Sequence, residues 1–302
     1  MTLDAFPWRR RLLLAAALAS LAGAPAWANT ATAWPAKPVK VIVNFPPGGA
    51  NGNLGGEAVA RAPADGYTLL MSSGGMVSVN PHLYARMSFD PAKDLVPVAA
   101  AARVLVFLVA KPSLPPANVR DFIAYAKANP GKLSYASPGS GSSPHLAGEM
   151  FKSQAGLFAL HVPYRGAAPA LQDLLAGQVD YAFDPGIGLQ QVRAGKLRLL
   201  AVGSPQRSPL FPDVPTLDEA GLRGFDADTV FGFYAPAGTP PEVVTQLNAQ
   251  INRALALPAV KERIASLGGE AVPGTPAEFQ QRAAADSQRF GALIRERRIA
   301  AD

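Results

Sequence analysis

Cysteine is absent from the 302-residue sequence, which excludes disulfide staples, thiolate nucleophiles and cysteine-ligated metals. A chain of this length has interior enough to be held by packing alone. Histidine is scarce: His82, His145 and His161 are the only three. His145 and Glu149 stand four apart on an expected helix, half a metal site at best, so no metal is expected. No glycine-rich turn continues into Gly-Lys-Ser/Thr, which rules out a phosphate-binding P-loop. Ser143-Pro144-His145 sets a hydroxyl near an imidazole, but no G-x-S-x-G elbow surrounds it. Without an acid–base pair, a metal set or a triad, neither an enzyme nor a cofactor is expected. The basic residues are scattered and not interleaved with aromatics, so nucleic acid is not an expected partner. Beyond the N-terminal segment, no apolar run approaches the ~20 residues that a membrane-spanning helix needs.

What is present begins with a leader. Arg9, Arg10 and Arg11 precede an apolar run from Leu12 to Ala22, and Ala26-Trp27-Ala28 supplies a small-x-small cleavage site. Charge, short apolar core and cleavage site in that order describe a secretory signal peptide, with cleavage after Ala28 and a periplasmic mature chain. The flanks of the arginines fit twin-arginine export poorly and favour the general route. The formal net charge is +6, and the leader accounts for part of it. The mild positive field left suits an anionic ligand, although solubility alone explains it equally well.

Along the mature chain, short β-branched runs alternate with helical periodicity. Strands are expected at Lys40–Phe45, Tyr67–Met71 and Val104–Ala110, the last amid a proline-punctuated stretch. From about residue 119 onward the alternation is regular: helix to Pro130-Gly131, strand 133–136, helix 144–154, strand 160–162, helix to Leu175, strand 179–183, helix to Gly195, strand 197–202. Such alternation means βαβ units and mainly parallel sheets flanked by helices. Val230–Ala235 is a further strand. Thr239-Pro-Pro-Glu242 and Thr275-Pro-Ala-Glu278 read as two capping boxes that open helices. The expected architecture is α/β and two-lobed. Residues 104–229 form the second lobe, and 29–103 with 230–302 form the first, with a hinged cleft between them.

In open α/β sheets, ligands bind beyond the carboxyl ends of strands, at loops that start helices. The candidate loops are Pro46-Pro47-Gly48-Gly49, Ser72-Ser73-Gly74-Gly75, Ser137–Ser143 and Pro163-Tyr164-Arg165-Gly166. Glycine lets backbone N–H groups approach an anion, and a helix N-terminus adds partial positive charge. The candidate binding residues are therefore Pro47, Gly48, Gly49, Ser73, Ser137, Gly139, Ser140, Gly141, Ser142 and Ser143, with His145, Tyr164, Arg165 and Asp184 beside them. Arg165 is a candidate for a bidentate carboxylate grip or a plain surface residue. Asp184 is a candidate for binding an amine or hydroxyl, or for capping its own helix. His145 either caps a helix or lines the cleft.

The blocks PAKPVKVIVNFPPGGA, DGYTLL, NPGKLSYASPGSGSSPHLAGEMF, HVPYRGAAPALQDLLAGQVDYAFD, RAGKLRLLAV, PDVPTLDEAGL and FGFYAPAGTP resemble, in order, the Bug receptors of tripartite tricarboxylate transporters. The resemblance implies a periplasmic solute-binding protein of type II-like form. It implies a small carboxylate held by main-chain groups of facing β-α loops, and two integral membrane subunits as partners, with the receptor itself a monomer. One departure stands out. Phe45–Ala50 runs straight into Asn51-Gly52-Asn53-Leu54-Gly55-Gly56, as though one helix and one strand were missing, with the first strand then joined to the next through the 54–62 helix. That change places Glu57 near the expected anion site, where it would repel. Position 230, Val here, is expected to be aromatic in the family. Two alternatives accompany the transport reading: a ligand sensor for a signalling partner, and a binding-impaired deleted paralogue.

Overall fold

The computed structural model describes residues 34–43 and 50–300. The leader and the Pro46–Gly49 turn lie outside the described residues. In chain order the elements are β1 (Lys40–Val43), α1 (Ala50–Ala60), β2 (Thr68–Ser73), α2 (Gly74–Ser78), α3 (Asn80–Leu83), α4 (Pro91–Asp94), β3 (Leu95–Val104), β4 (Phe107–Ala110), α5 (Val119–Ala128), β5 (Ser134–Ser137), α6 (Ser143–Ala155), β6 (Leu160–Pro163), α7 (Ala167–Leu175), β7 (Tyr181–Asp184), α8 (Leu189–Arg193), β8 (Arg198–Val202), β9 (Thr229–Pro236), α9 (Pro241–Ala256), α10 (Pro258–Ser266), β10 (Gly269–Ala271) and α11 (Pro276–Arg297). From Lys37 onward the chain forms one compact unit.

Two five-stranded sheets organise it. The first has the order β1-β2-β9-β3-β10 and the second β6-β5-β7-β4-β8. The second is made only of strands between residues 107 and 202, and the first of strands from both flanks. The α/β fold of two sheets flanked by helices is the expected one, but strand direction is more mixed than the alternation predicts. In the first sheet only β1–β2 is parallel, while β2–β9, β3–β9 and β3–β10 are antiparallel. In the second, β5–β6 and β5–β7 are parallel and β4 runs against both β7 and β8. The cause is the crossing between sheets. The single strand expected over 104–110 is two strands, broken at Leu105–Val106, where the chain leaves one sheet and enters the other. A strand arriving by such a crossing is not part of a βαβ unit and is free to pair antiparallel.

β3 runs through Pro97, where sequence reading sees only punctuation. The strand tolerates it at an irregularity, with register shifts between Pro97 and Ala99 and between Ala100 and Ala102, the setting in which a missing N–H is least costly. β1 pairs in parallel with β2, and α1 lies between them in sequence.

Every residue of β4 is buried, and its alternation feeds two cores. Leu108 and Ala110 join Phe122, Tyr135, Phe151, Tyr181 and Phe183 on one face. Phe107 and Val109 join Leu105, Ala170, Leu174, Leu189 and Leu197 on the other. A third cluster, with Val59, Leu70, Met76, Val230, Tyr234 and Phe279, belongs to the first sheet. Helix α6 packs unusually close to β5 because Gly148 faces Tyr135: a Cβ there would lie 2.2 Å from the ring. Helix α11 spans the molecule. Its Phe279 packs on the first sheet, whereas Phe290, Leu293 and Ile294 complete a core of the second.

The two capping boxes fare differently. Thr275 caps α11 as expected: its Oγ1 accepts from Glu278 N–H, and Glu278 accepts from Thr275 N–H. Thr239 does not cap α9. That helix starts at Pro241 with Pro240 as the flanking residue, at φ −56° and ψ 137°. A residue before proline is pushed out of the helical region, so the second proline delays the helix by one residue. Thr239 Oγ1 donates instead to Pro236 O at 2.8 Å.

Candidate ligand-binding cleft

A cavity of about 440 Å³ lies between the carboxyl ends of strands from both sheets, in the range of small-molecule sites. Its wall comes from the β2–α2 loop (Ser73, Gly75), the β5–α6 loop (Pro138, Gly141, Ser142, Ser143), the start of α7 (Gly166, Ala167), the β7–α8 loop (Pro185, Gly186, Ile187), strand residues Val104, Thr229 and Phe231, and Leu267.

The β5–α6 loop is held by its own side chains. Ser142 is the N-cap of α6, with its Oγ accepting from His145 N at 3.4 Å and donating to Gly139 O at 2.7 Å. Gly139 N–H in turn donates to Ser137 Oγ at 3.2 Å. Gly141 has φ 78°, a conformation that favours glycine. It also lies close against α3, since a Cβ would lie 2.3 Å from Leu83 Cδ2. The loop is sewn to its neighbour by Tyr164 N–H to Ser137 O at 2.9 Å and Gly166 N–H to Pro138 O at 3.1 Å. The starts of α6 and α7 therefore stand side by side. The first amides of a helix have no intrahelical acceptor. In α6 the prolyl Pro144 has no N–H and His145 N–H is taken by Ser142, which leaves Ser143. In α7, Ala167 and Ala168 present theirs, because no side chain caps that helix and Pro169 has none to give. Of these residues Ser143 and Ala167 line the cavity, and their amides with the Ser143 hydroxyl form an anion-directed corner.

Of the residues expected from sequence, Ser73, Gly141, Ser142 and Ser143 line the cavity. Ser137 and Gly139 stand behind them as loop supports, and Ser140 lies in the same turn off the wall. Pro47, Gly48 and Gly49 lie outside the described residues. His145 is a support, not a lining residue. It is buried, and its Nδ1 accepts from Gly141 N–H at 2.9 Å. Its ring stacks on His161 with centroids 3.9 Å apart, and Nε2 lies 3.9 Å from Glu149 Oε1. Its acceptor bond faces the loop, so it is not poised as a base for Ser143. Glu149 is itself tied to Tyr135 Oη at 2.7 Å, Lys152 Nζ at 2.6 Å and Arg297 Nε at 3.4 Å. Burial pushes its carboxyl up, but the bonds from Lys152 and Tyr135 and the Lys152 charge together hold it below the usual carboxylate range.

Tyr164 departs from the expectation, while Arg165 and Asp184 each take the second of the two roles expected of them. Tyr164 turns away from the cavity and donates to Asp173 at 2.7 Å; burial and that carboxylate push its phenol up to about 12. Arg165 is exposed and does not line the cavity, so the bidentate grip is not set up. Asp184 caps its own loop: Oδ1 accepts from Gly186 N–H at 2.7 Å and Gly188 N–H at 2.9 Å. Burial raises its pKa against those two bonds. Glu57 is also not on the wall. It pairs with Arg61 at 2.6 Å and accepts from Ser88 Oγ at 2.6 Å. Sequence reasoning missed Val79, Val104, Ile187, Thr229, Phe231 and Leu267, which come from separate parts of the chain. Only Phe231, within FGFYAPAGTP, fell in a block already singled out. Among the described residues no group of three or more His, Asp or Glu could hold a metal, and no helix is long and apolar enough to cross a membrane.

Two sheets joined by crossing segments, with helix starts facing a cavity between them, define a cleft-type solute-binding protein. The chain belongs to the tripartite tricarboxylate transporter family of receptors (TctC), whose family model matches residues 31–299. It is 37% identical to a UPF0065 protein from the tcbD-tcbE intergenic region of Pseudomonas sp. strain P51, covering 97% of this chain and 96% of that one. It is 36% identical to the protein BugT of Bordetella pertussis, over 90% and 92%. Among solved structures, the R. palustris protein Rpa4515 with adipate matches with a TM-score of 0.80 at 32% identity, covering 89% of this chain and all of that one. MatC of Rhodopseudomonas palustris with bound malate matches with a TM-score of 0.74 at 29% identity, over 86% and 100%. The alignment to the Pseudomonas relative runs over 324 positions, more than the 302 residues present here. That relative therefore has residues with no counterpart in this chain.

Proposed function

We propose that this chain is a periplasmic receptor that binds a small carboxylate in the cleft and delivers it to the integral membrane subunits of a tripartite tricarboxylate-type transporter. The observation that carries the reading is the pair of helix starts, α6 and α7, set side by side on the cavity wall with amides at Ser143 and Ala167 and, among the described residues, no competing acid on the wall. Each helix start contributes about 0.3–1 kcal/mol and up to ~2 when partly buried. Micromolar binding requires about 8 kcal/mol, so the remainder falls to direct hydrogen bonds and burial of the ligand body. Adipate and malate in related structures support the carboxylate class. The mature receptor starts after Ala28, works as a monomer and carries out no chemistry on its ligand.

The test is thermal unfolding of the purified protein with a panel of carboxylates. A ligand at a hundred times its dissociation constant adds about 2.7 kcal/mol of stability, a plain rise in melting temperature. A cooperative melt that no carboxylate moves refutes the carboxylate reading. A second reading, a binding-impaired shortened paralogue, draws on the exposed valines of β1, where Val41 and Val43 are 43% and 56% exposed. It predicts a broad, non-cooperative melt.

A further inference from the structure

We infer that a second cavity, between α11 and the α2–α4 side of the first sheet, is a binding site for a small amphipathic anion that carries a hydrogen-bond acceptor on its apolar end. The inference is independent of the carboxylate reading of the cleft.

This cavity has a volume of about 420 Å³, again in the range of small-molecule sites. It shares no lining residue with the cleft, although α2 serves both, with Val77 on this wall and Gly75 on the other. Its buried lining is largely apolar, from Pro91, Leu95 and the ring of Tyr234. Tyr234 separates the site from a mere gap in packing. It is 1% exposed, and its hydroxyl has no hydrogen-bond partner among the described residues. A buried hydroxyl left unsatisfied is costly, and native folds seldom leave one without a use. The polar pair beside it is already closed, since His82 Nε2 and Ser287 Oγ lie 2.8 Å apart. The phenol is thus the buried group with a bond still to give, and an acceptor entering the cavity would take it.

The charge of the ligand follows from the rest of the wall. Among the described residues no acid lines the cavity, and Arg295 is the one fixed charge on it. Arg295 is exposed, as is Gln288, so the cation stands at the open side and the phenol at the closed one. Helix α11 also sets a length. Ser287 and Arg295 are about two turns apart, or ~12 Å along the axis, and a helical side chain leans back toward the N-terminus. A substituted ring on a short acid chain, about 8–10 Å long, reaches from the buried end to the guanidinium.

The test maps 3-(4-hydroxyphenyl)propionate on the full mature protein by residue-resolved amide NMR. Two relatives of similar size accompany it: 3-phenylpropionate, which lacks the acceptor, and tyramine, which exchanges the acid for an amine. Saturable shifts are expected at Ala283, Ala284 and Ser287, with the hydroxy acid binding about fivefold more tightly than either relative. Shifts confined to Ser143 and Ala167 would put the acid in the cleft and overturn the inference, as would no saturable shift on α11. Equal binding of 3-phenylpropionate or of tyramine overturns it too, by removing the acceptor or the charge. Tyr234→Phe gives an independent arm, because it deletes only an unpartnered hydroxyl. The melting temperature should hold or rise, while affinity for the hydroxy acid falls about fivefold and affinity for 3-phenylpropionate stays. No fall, or an equal fall for both acids, contradicts the inference.

Discussion

Gly141 joins two constraints in one residue: a φ of 78° and the approach of Leu83 from α3. Placing an L-residue in the left-handed region costs about 1–2 kcal/mol, and a methyl group would also push Leu83 back. Gly141→Ala should therefore lower the melting temperature and weaken ligand binding together; an unchanged dissociation constant would show that the loop does not form the site. Asp228 poses a different residue-scale problem. It is fully buried, accepts from Ser204 Oγ and lies 3.5 Å from Arg103 Nη1. Burial pushes its pKa up to about 7. The folded state thus keeps a proton that the unfolded chain gives up near pH 4, and the stability this proton lends is complete below that pH and lost as the pH rises through about 7. Each tenfold gain in proton affinity on folding is worth about 1.4 kcal/mol. Urea midpoints measured across that window should fall more steeply for the wild type than for Asp228→Asn. Parallel curves would mean that Asp228 does not titrate there.

At the scale of elements, local chemistry was legible where it is self-contained. The Thr275–Glu278 box closes within four residues, and Thr275→Ala should cost about 1 kcal/mol, seen as a lower urea midpoint; a midpoint left in place would show that the box does not hold α11. The same pattern at Thr239 misleads because the added proline shifts the helix start. Helices and strands of the second lobe fall within a residue or two of the periodicity reading for the same reason, since their faces are set by neighbours in sequence. Strand direction was not legible, because β9 pairs with β2 and β3 across more than a hundred residues, and nothing local records that. The outer edge of β1 is another element-scale feature. Among the described strands it is paired on one side only, and an apolar open edge invites pairing with another chain. Val43→Lys should reduce concentration-dependent association in light scattering while moving stability by no more than about 0.5 kcal/mol. Unchanged association would place any self-contact elsewhere.

At the scale of the whole molecule, the site is a product of assembly. The polar corner was legible, because Ser142, Ser143 and Gly166 sit in glycine- and serine-rich turns after strands. The apolar wall was not, because Val79, Val104, Thr229, Phe231 and Leu267 meet only once both sheets and their crossings are in place. Helix α11 ties these parts together, from Phe279 on the first sheet to Phe290 on the second and on to Arg297 against Glu149. From Glu149 the contacts pass through His145 to the Gly141 amide, so the ligand loop rests on the last helix of the chain. Residue-resolved amide hydrogen exchange, with and without a saturating carboxylate, reads this arrangement directly. The account predicts that Ser143 and Ala167 gain protection beyond the general slowing that ligand binding brings. Protection that rises elsewhere while these two amides exchange as before would contradict it.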